Sequence, residues 1–208
     1  MNIITIGQQF EMGKLVAEKL GAMKADGEEI QSIIESSDHP LWSDLVKHFS
    51  QKAGILVIVD RTTPFNPAEF IGSGWTIDEE DKRSLALTEV DFSKIRLETM
   101  LKKDEISING EEKLKRLKKA GHICLNAKVF ETLWNDKTLI PESWKKKTND
   151  NTTYIFFDGT ILRSPYGNRS VLSLDWSGGE WHWYYRWLDR AWYDYYPSAV
   201  CPQVSPQN

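Results

Sequence analysis

A chain of 208 residues can form one large domain or two small ones, and it should bury roughly 70 % of its unfolded surface, so neither a disulfide nor a metal is needed to hold it together. Hydrophobic residues make up 40 % and charged residues 27 %, and the net charge of -4 gives no global pull toward nucleic acid or an anionic membrane. The two cysteines, Cys124 and Cys201, suit a reducing compartment, with a single disulfide left open.

The opening residues Met1–Gly7 have no basic region and no long apolar run, so they do not read as a signal peptide. The longest aliphatic stretch, Ile55–Val59, falls far short of the ~20 residues a membrane helix needs. The expectation is a soluble, cytoplasmic protein. Residues 11–52 have helical spacing, with Leu15, Val16, Leu20 and Met23 on one face and Gly27 as a break. Glu28–Ser36 predicts a second helix. Asp38 can cap a third, with Pro40 in its first turn and Leu41, Trp42, Leu45, Val46 and Phe49 as its apolar stripe. Such stripes normally face a core, so residues 1–53 are expected to form a helical appendage.

The aliphatic run Gly54–Val59 predicts a buried strand, and Pro64 and Pro67 make the next segment a loop. Residues 71–106 are ambiguous. Trp75 with Ile77, and Leu85 with Leu87, alternate as short strands would, while Ile95 and Leu97 fit strand or helix. Asn109 and Glu112 have capping-box spacing, Leu114 and Leu117 form a stripe, and Gly121 ends that helix. Asn126 caps the next helix, with Val129, Phe130, Leu133 and Trp134 as its apolar positions, and Pro141 starts a last short one.

From Thr153 the period changes to two. Tyr154–Phe157, Thr160–Arg163, Ser170–Trp176 and Glu180–Trp187 read as strands, with Ala191–Tyr196 as a possible fifth. Asp158-Gly159 has the signature of a two-residue hairpin, and Ser177-Gly178-Gly179 makes another turn. The predicted fold is therefore α+β. A helical amino-terminal part and a central helix pair pack on a carboxy-terminal antiparallel meander of four to five strands. Residues 54–200 form one domain whose aromatic sheet spans 153–200, and 201–208 are a disordered tail.

Several strings are specific: Gly-Glu-Glu-Lys-Leu-Lys-Arg-Leu-Lys at 110–118, Leu-Asn-Ala-Lys-Val-Phe-Glu-Thr-Leu-Trp at 125–134, Leu-Ile-Pro-Glu-Ser-Trp-Lys at 139–145, Phe-Phe-Asp-Gly-Thr at 156–160 and Leu-Arg-Ser-Pro at 162–165. On these strings the chain resembles a family of short, uncharacterised bacterial proteins from about Phe70 to Val200. The resemblance implies a recurring unit over 70–200 with 1–53 as a separate attachment. It implies no activity, ligand or catalytic residue.

No catalytic constellation emerges. Phe157-Asp158-Gly159-Thr160 is similar to the haloacid dehalogenase phosphatase motif, but its nucleophile position holds Phe156, so no phosphoenzyme could form. Gly72-Ser73-Gly74 lacks the third glycine of a dinucleotide fingerprint. His122 and Cys124 have no second pair of ligands at zinc spacing. The acidic run Asp78–Asp81 reads as a solvated loop without calcium-loop spacing. Neither a cofactor nor a metal is expected.

Two features carry the functional reading. Fourteen of the 24 aromatic residues lie between Tyr154 and Tyr196. Period two sets Trp181, Trp183, Tyr185 and Trp187 on one face of a strand and Glu180, His182, Tyr184 and Arg186 on the other, with Trp192 and Tyr193 following. One sheet face can pack on a core. The surplus must contact the helical part, meet another subunit or be exposed for a partner. The leading expectation is a non-enzymatic module that binds a protein, peptide or glycan through these rings and through His182 and Arg186. The second feature is the basic helix with Lys113, Arg116 and Lys119, followed by Lys145 and Lys146, which would serve nucleic-acid binding. That reading is the weaker one, because residues 54–150 hold 17 acidic against 17 basic residues. A third alternative is an enzyme of unrecognised type, in which Asp158, Arg163, Asp175, His182 and Arg186 converge on one face.

Overall fold

The computed structural model describes residues 56–201. The chain divides into two compact units, Met1–Ile55 and Leu56–Asn208. The helices expected in 1–53 and the tail after Cys201 lie outside the described residues.

The first strand, β1 (Leu56–Ile58), pairs with β3 (Glu89–Asp91) in a small ribbon. The aliphatic run predicted a buried strand, and Val57 is buried, but Ile58 is 55 % exposed because the ribbon covers one face only. Between them lie α1 (Pro67–Phe70), β2 (Thr76–Glu80) and α2 (Lys82–Leu85). Leu85 therefore ends a helical turn rather than belonging to a strand. The acidic run is strand β2 rather than a solvated loop. Asp78 lies between Arg163 at 2.5 Å and Arg169 at 2.8 Å, Glu79 meets Arg169 at 2.6 Å and Lys118 at 2.8 Å, and Asp81 caps α2.

After β4 (Arg96–Glu98) and β5 (Ile108–Asn109) comes α3 (Gly110–Lys119). The Asn109 side chain accepts from the Glu111 amide. Glu112 pairs with Arg116 at 2.9 Å instead of closing the capping box. At the other end Gly121 takes φ 74°, and the amides of Gly121 and His122 donate to the carbonyls of Lys118 and Leu117, a Schellman stop. β6 (Ile123–Cys124) leads into α4 (Ala127–Asn135), where Asn126 Oδ1 accepts from the Val129 amide, and two 3-10 turns follow at Lys137–Leu139 and Glu142–Lys145.

The remaining strands are β7 (Tyr154–Phe156), β8 (Thr160–Arg163), β9 (Arg169–Ser177), β10 (Glu180–Trp187), β11 (Ala191–Trp192) and β12 (Ser198–Cys201). They do not form a meander. β7 pairs with Ser173–Asp175 and β8 with Arg169 and Ser170, both antiparallel, so the two lie end to end on one edge of β9. β10 takes the other edge. β12 runs parallel to β7 and antiparallel to β4 and β6, and β2 joins beyond β8, giving a mixed sheet of eight strands among the described residues. β11 pairs with β5 instead of extending that sheet.

Asp158-Gly159 is therefore not a hairpin. The chain keeps its direction through it, and Gly159 has no positive φ. Its requirement is proximity. A Cβ at 159 would stand 2.4 Å from the Cys124 carbonyl oxygen, where the Gly159 amide donates to Leu125 O at 2.9 Å and Gly159 O accepts from the Asp81 amide at 2.9 Å. The true two-residue turn is Gly178-Gly179, with φ of 61° and 90°, joining β9 to β10.

Helices cover both sheet faces. Leu114 and Leu117 of α3 cluster with Phe156, Ile161, Val171 and Trp192 on one side. On the other, Phe130 of α4 meets Phe157 and Phe70, which in turn meets Trp183. No helix among the described residues is long and apolar enough to cross a membrane.

Candidate interaction surface

The β9–β10 hairpin positions most of the rings singled out above. Its register is unbroken from Glu180–Ser177 to Trp187–Ser170. A two-residue turn makes Ser177 and Glu180 a hydrogen-bonded pair, and such pairs alternate along an antiparallel ladder. The Leu188 amide donates to Arg169 O at 2.9 Å, which continues the same parity. Even-numbered residues of β10 therefore bond to β9. Trp181, Trp183 and Tyr185 turn their backbone N–H and C=O groups to the opposite side. No strand among the described residues pairs there, and these three residues make no backbone hydrogen bond outside the ladder. Among the described residues β10 is an open edge.

The side chains divide between interior and surface. Trp181 is buried and meets Trp176 at 5.4 Å. Trp183 is half-buried, 4.8 Å from the Phe70 ring. Tyr185 is 42 % exposed against Trp75, and Trp187 lies beneath Arg190. On the opposite face Tyr184 is 53 % exposed, His182 Nε2 lies 3.2 Å from Ser177 O, and Arg186 stacks 4.5 Å over Tyr196 and donates to Ala191 O at 2.7 Å. Trp192 is 1 % exposed and packs 4.2 Å from Phe156. Of the eight proposed contact residues, Trp181 and Trp192 are thus interior. The remainder are partly exposed, Trp183, Tyr185 and Trp187 on one face of β10 and His182 and Arg186 on the other, with Tyr193 stacked on Tyr195. Much of the ring surplus is absorbed by the helices and loops that cover the sheet.

The basic helix does not present the face its composition suggested. Lys113 is fully buried. Its Nζ donates to Tyr196 O at 2.8 Å, lies 4.2 Å from the Trp192 ring and stands 3.8 Å from Asp158 Oδ2. Burial pulls the ammonium down to about 8, against the opposing pull of Asp158. Arg116 is tied to Glu105 and Glu112, and Lys145 to Glu142 and the Trp176 ring. Lys119 and Lys146 remain exposed. One signal could have revealed Lys113. Gly110, Lys113, Leu114 and Leu117 fall at i, i+3, i+4 and i+7, so the lysine sits within the apolar stripe.

Of the polar residues of the enzyme alternative, Arg163, Asp175, His182 and Arg186 share one sheet face but engage separate partners along it. Arg163 is held by Asp78 and donates to Gly167 O at 2.9 Å. Asp158 lies beside Lys113, whereas Asp175 and His182 are cross-strand neighbours on β9 and β10. Asp175 is raised by burial, with one oxygen bonded to Ser177 and the other buried without a partner. A cavity of about 390 Å³ opens beside Leu114, Leu117, His122, Cys124 and Asp158, rimmed by Asp81. Burial pushes the Cys124 thiol far up, the reverse of what a nucleophile needs. Both cysteines are free, and Cys201, expected in the tail, is the last residue of β12. Among the described residues no group of three acidic, histidine or cysteine side chains is placed to hold a metal.

No protein-family model, curated protein or solved structure matches this chain.

Proposed function

We propose that this protein is a non-enzymatic binding module that captures an extended polypeptide segment along the open edge of β10. The observation that carries this reading is the unused backbone of Trp181, Trp183 and Tyr185, flanked by the half-exposed rings of Tyr184 and Tyr185. An added strand would gain its affinity from main-chain hydrogen bonds and its selectivity from alternate side chains meeting those rings. The two free cysteines support a reducing, cytoplasmic setting. The helical spacing of residues 1–53 supports a helical attachment to this body.

The test uses proline. Tyr185→Pro deletes an amide that the fold leaves unused, whereas Tyr185→Ala keeps it. Peptides selected from a random display library against the full chain should bind Tyr185→Ala measurably and Tyr185→Pro not at all. Selection of no peptide, or of peptides indifferent to the proline, overturns the reading.

A further inference from the structure

An unguarded sheet edge of eight residues is a hazard that folds usually blunt with lysine, proline or a bulge. β10 has none of these. Its sequence, Glu-Trp-His-Trp-Tyr-Tyr-Arg-Trp, contains neither lysine nor proline, and its register with β9 is continuous. What it does contain is one acidic residue near one end, Glu180, and one arginine near the other, Arg186.

We infer that the strand captured by β10 is β10 of a second copy of this chain, paired antiparallel about a twofold axis at Trp183 so that Glu180 of each copy opposes Arg186 of the other. This rests on the strand-capture reading and names its occupant. An isologous interface must be self-complementary, and an antiparallel strand is so only when its charges are placed symmetrically about the centre with opposite sign. Glu180 and Arg186 are each three residues from Trp183. Trp183 is also an outward-bonding residue, so the axis passes through a hydrogen-bonded pair, which the parity of the edge allows.

The other pairings agree. Trp181 faces the copy's Tyr185, and Trp183 faces its own equivalent, an aromatic row on one face. His182 faces Tyr184 on the other. Moving the axis one residue to Tyr184 would set His182 against Arg186 and strand Glu180 opposite Leu188, beyond the end of β10. Glu180 is open to solvent, its side chain 75 % exposed with His182 at 3.8 Å as its near neighbour. Arg186, half-buried against the Tyr196 ring with its Nε enclosed, donates from Nη2 to Ala191 O and leaves Nη1 without a hydrogen bond.

Sedimentation velocity on the full-length chain across the micromolar range tests the inference. The unaltered protein should dimerise. Glu180→Arg, on an exposed side chain that the fold does not need, sets arginine against arginine twice per dimer and should weaken association about tenfold. Arg186→Glu should do the same, and the two substitutions combined should restore the dimer. A dimer indifferent to Glu180→Arg, or not restored by the swap, overturns the inference. A monomer at every concentration also overturns it. In that case loss of peptide capture in Tyr185→Pro leaves strand capture standing, and retention of capture removes both.

Discussion

Lys113 Nζ stands 3.8 Å from the Asp158 carboxylate, with both side chains sealed from solvent and neither Asp158 oxygen hydrogen-bonded. A pair buried in this way contributes little net stability while intact, but its disruption leaves a bare charge in the interior. Lys113→Met should cost about 3–5 kcal/mol in denaturant unfolding, and adding Asp158→Leu should recover much of that loss. A double variant no better than the single would show that the two groups are not coupled.

The same lysine gives a pH signature. Its folded pKa lies near 8 against an ordinary 10.5, so between these values the unfolded chain binds more protons than the folded one. This group's penalty is full below about pH 8 and fades as the pH rises to the ordinary lysine range. Cys124, raised by burial, acts in the opposite sense at alkaline pH. The expected observation is thus a difference. The stability gap between the wild type and Lys113→Met should widen from pH 8 to 10, measured by urea midpoints at each pH.

On the acid side the hydrogen bond from Arg116 holds Glu105 at about 2, below its ordinary 4.5. Its contribution is present above the ordinary value and is lost as the pH falls toward 2. Glu105→Gln should flatten the acid limb of the stability curve in that window and leave the neutral region less affected by pH. An unchanged acid limb would show that the pair with Arg116 does not persist in solution.

Trp192 and Tyr184 should separate interior from surface. Trp192→Ala empties a site 1 % exposed and should cost about 3–5 kcal/mol, whereas Tyr184→Ala, 53 % exposed, should cost less than about 1 kcal/mol. Chemical unfolding of both variants measures the contrast.

Gly159→Ala should destabilise by about 1–3 kcal/mol although its φ is ordinary, since the new methyl would meet the Cys124 carbonyl oxygen at 2.4 Å. Gly167→Ala is the comparison. There the surroundings are open and the strain comes from φ 86°. A thermal melt in which Gly159→Ala matches wild type would place the β6 backbone farther away.

Local patterns determined a good part of this protein. Alternation fixed β10 as Glu180–Trp187, side-chain caps and a stop glycine bounded α3 and α4, and paired glycines set the β9–β10 turn. Each of these is decided within a few residues, by φ preference or by a side chain bonding its own backbone. The tertiary structure alone decided where Asp158-Gly159 leads, because a turn-prone dipeptide yields when both flanking strands gain ladder bonds on β9. It also placed Lys113 under Trp192 and set helices on both sheet faces, drawing Trp181 and Trp192 inside. Burial depends on what packs from afar, and period two can assign a ring to a face but cannot say what covers that face. The open edge is of the same kind, for it exists only because β9 receives β7 and β8 on one side and β10 on the other.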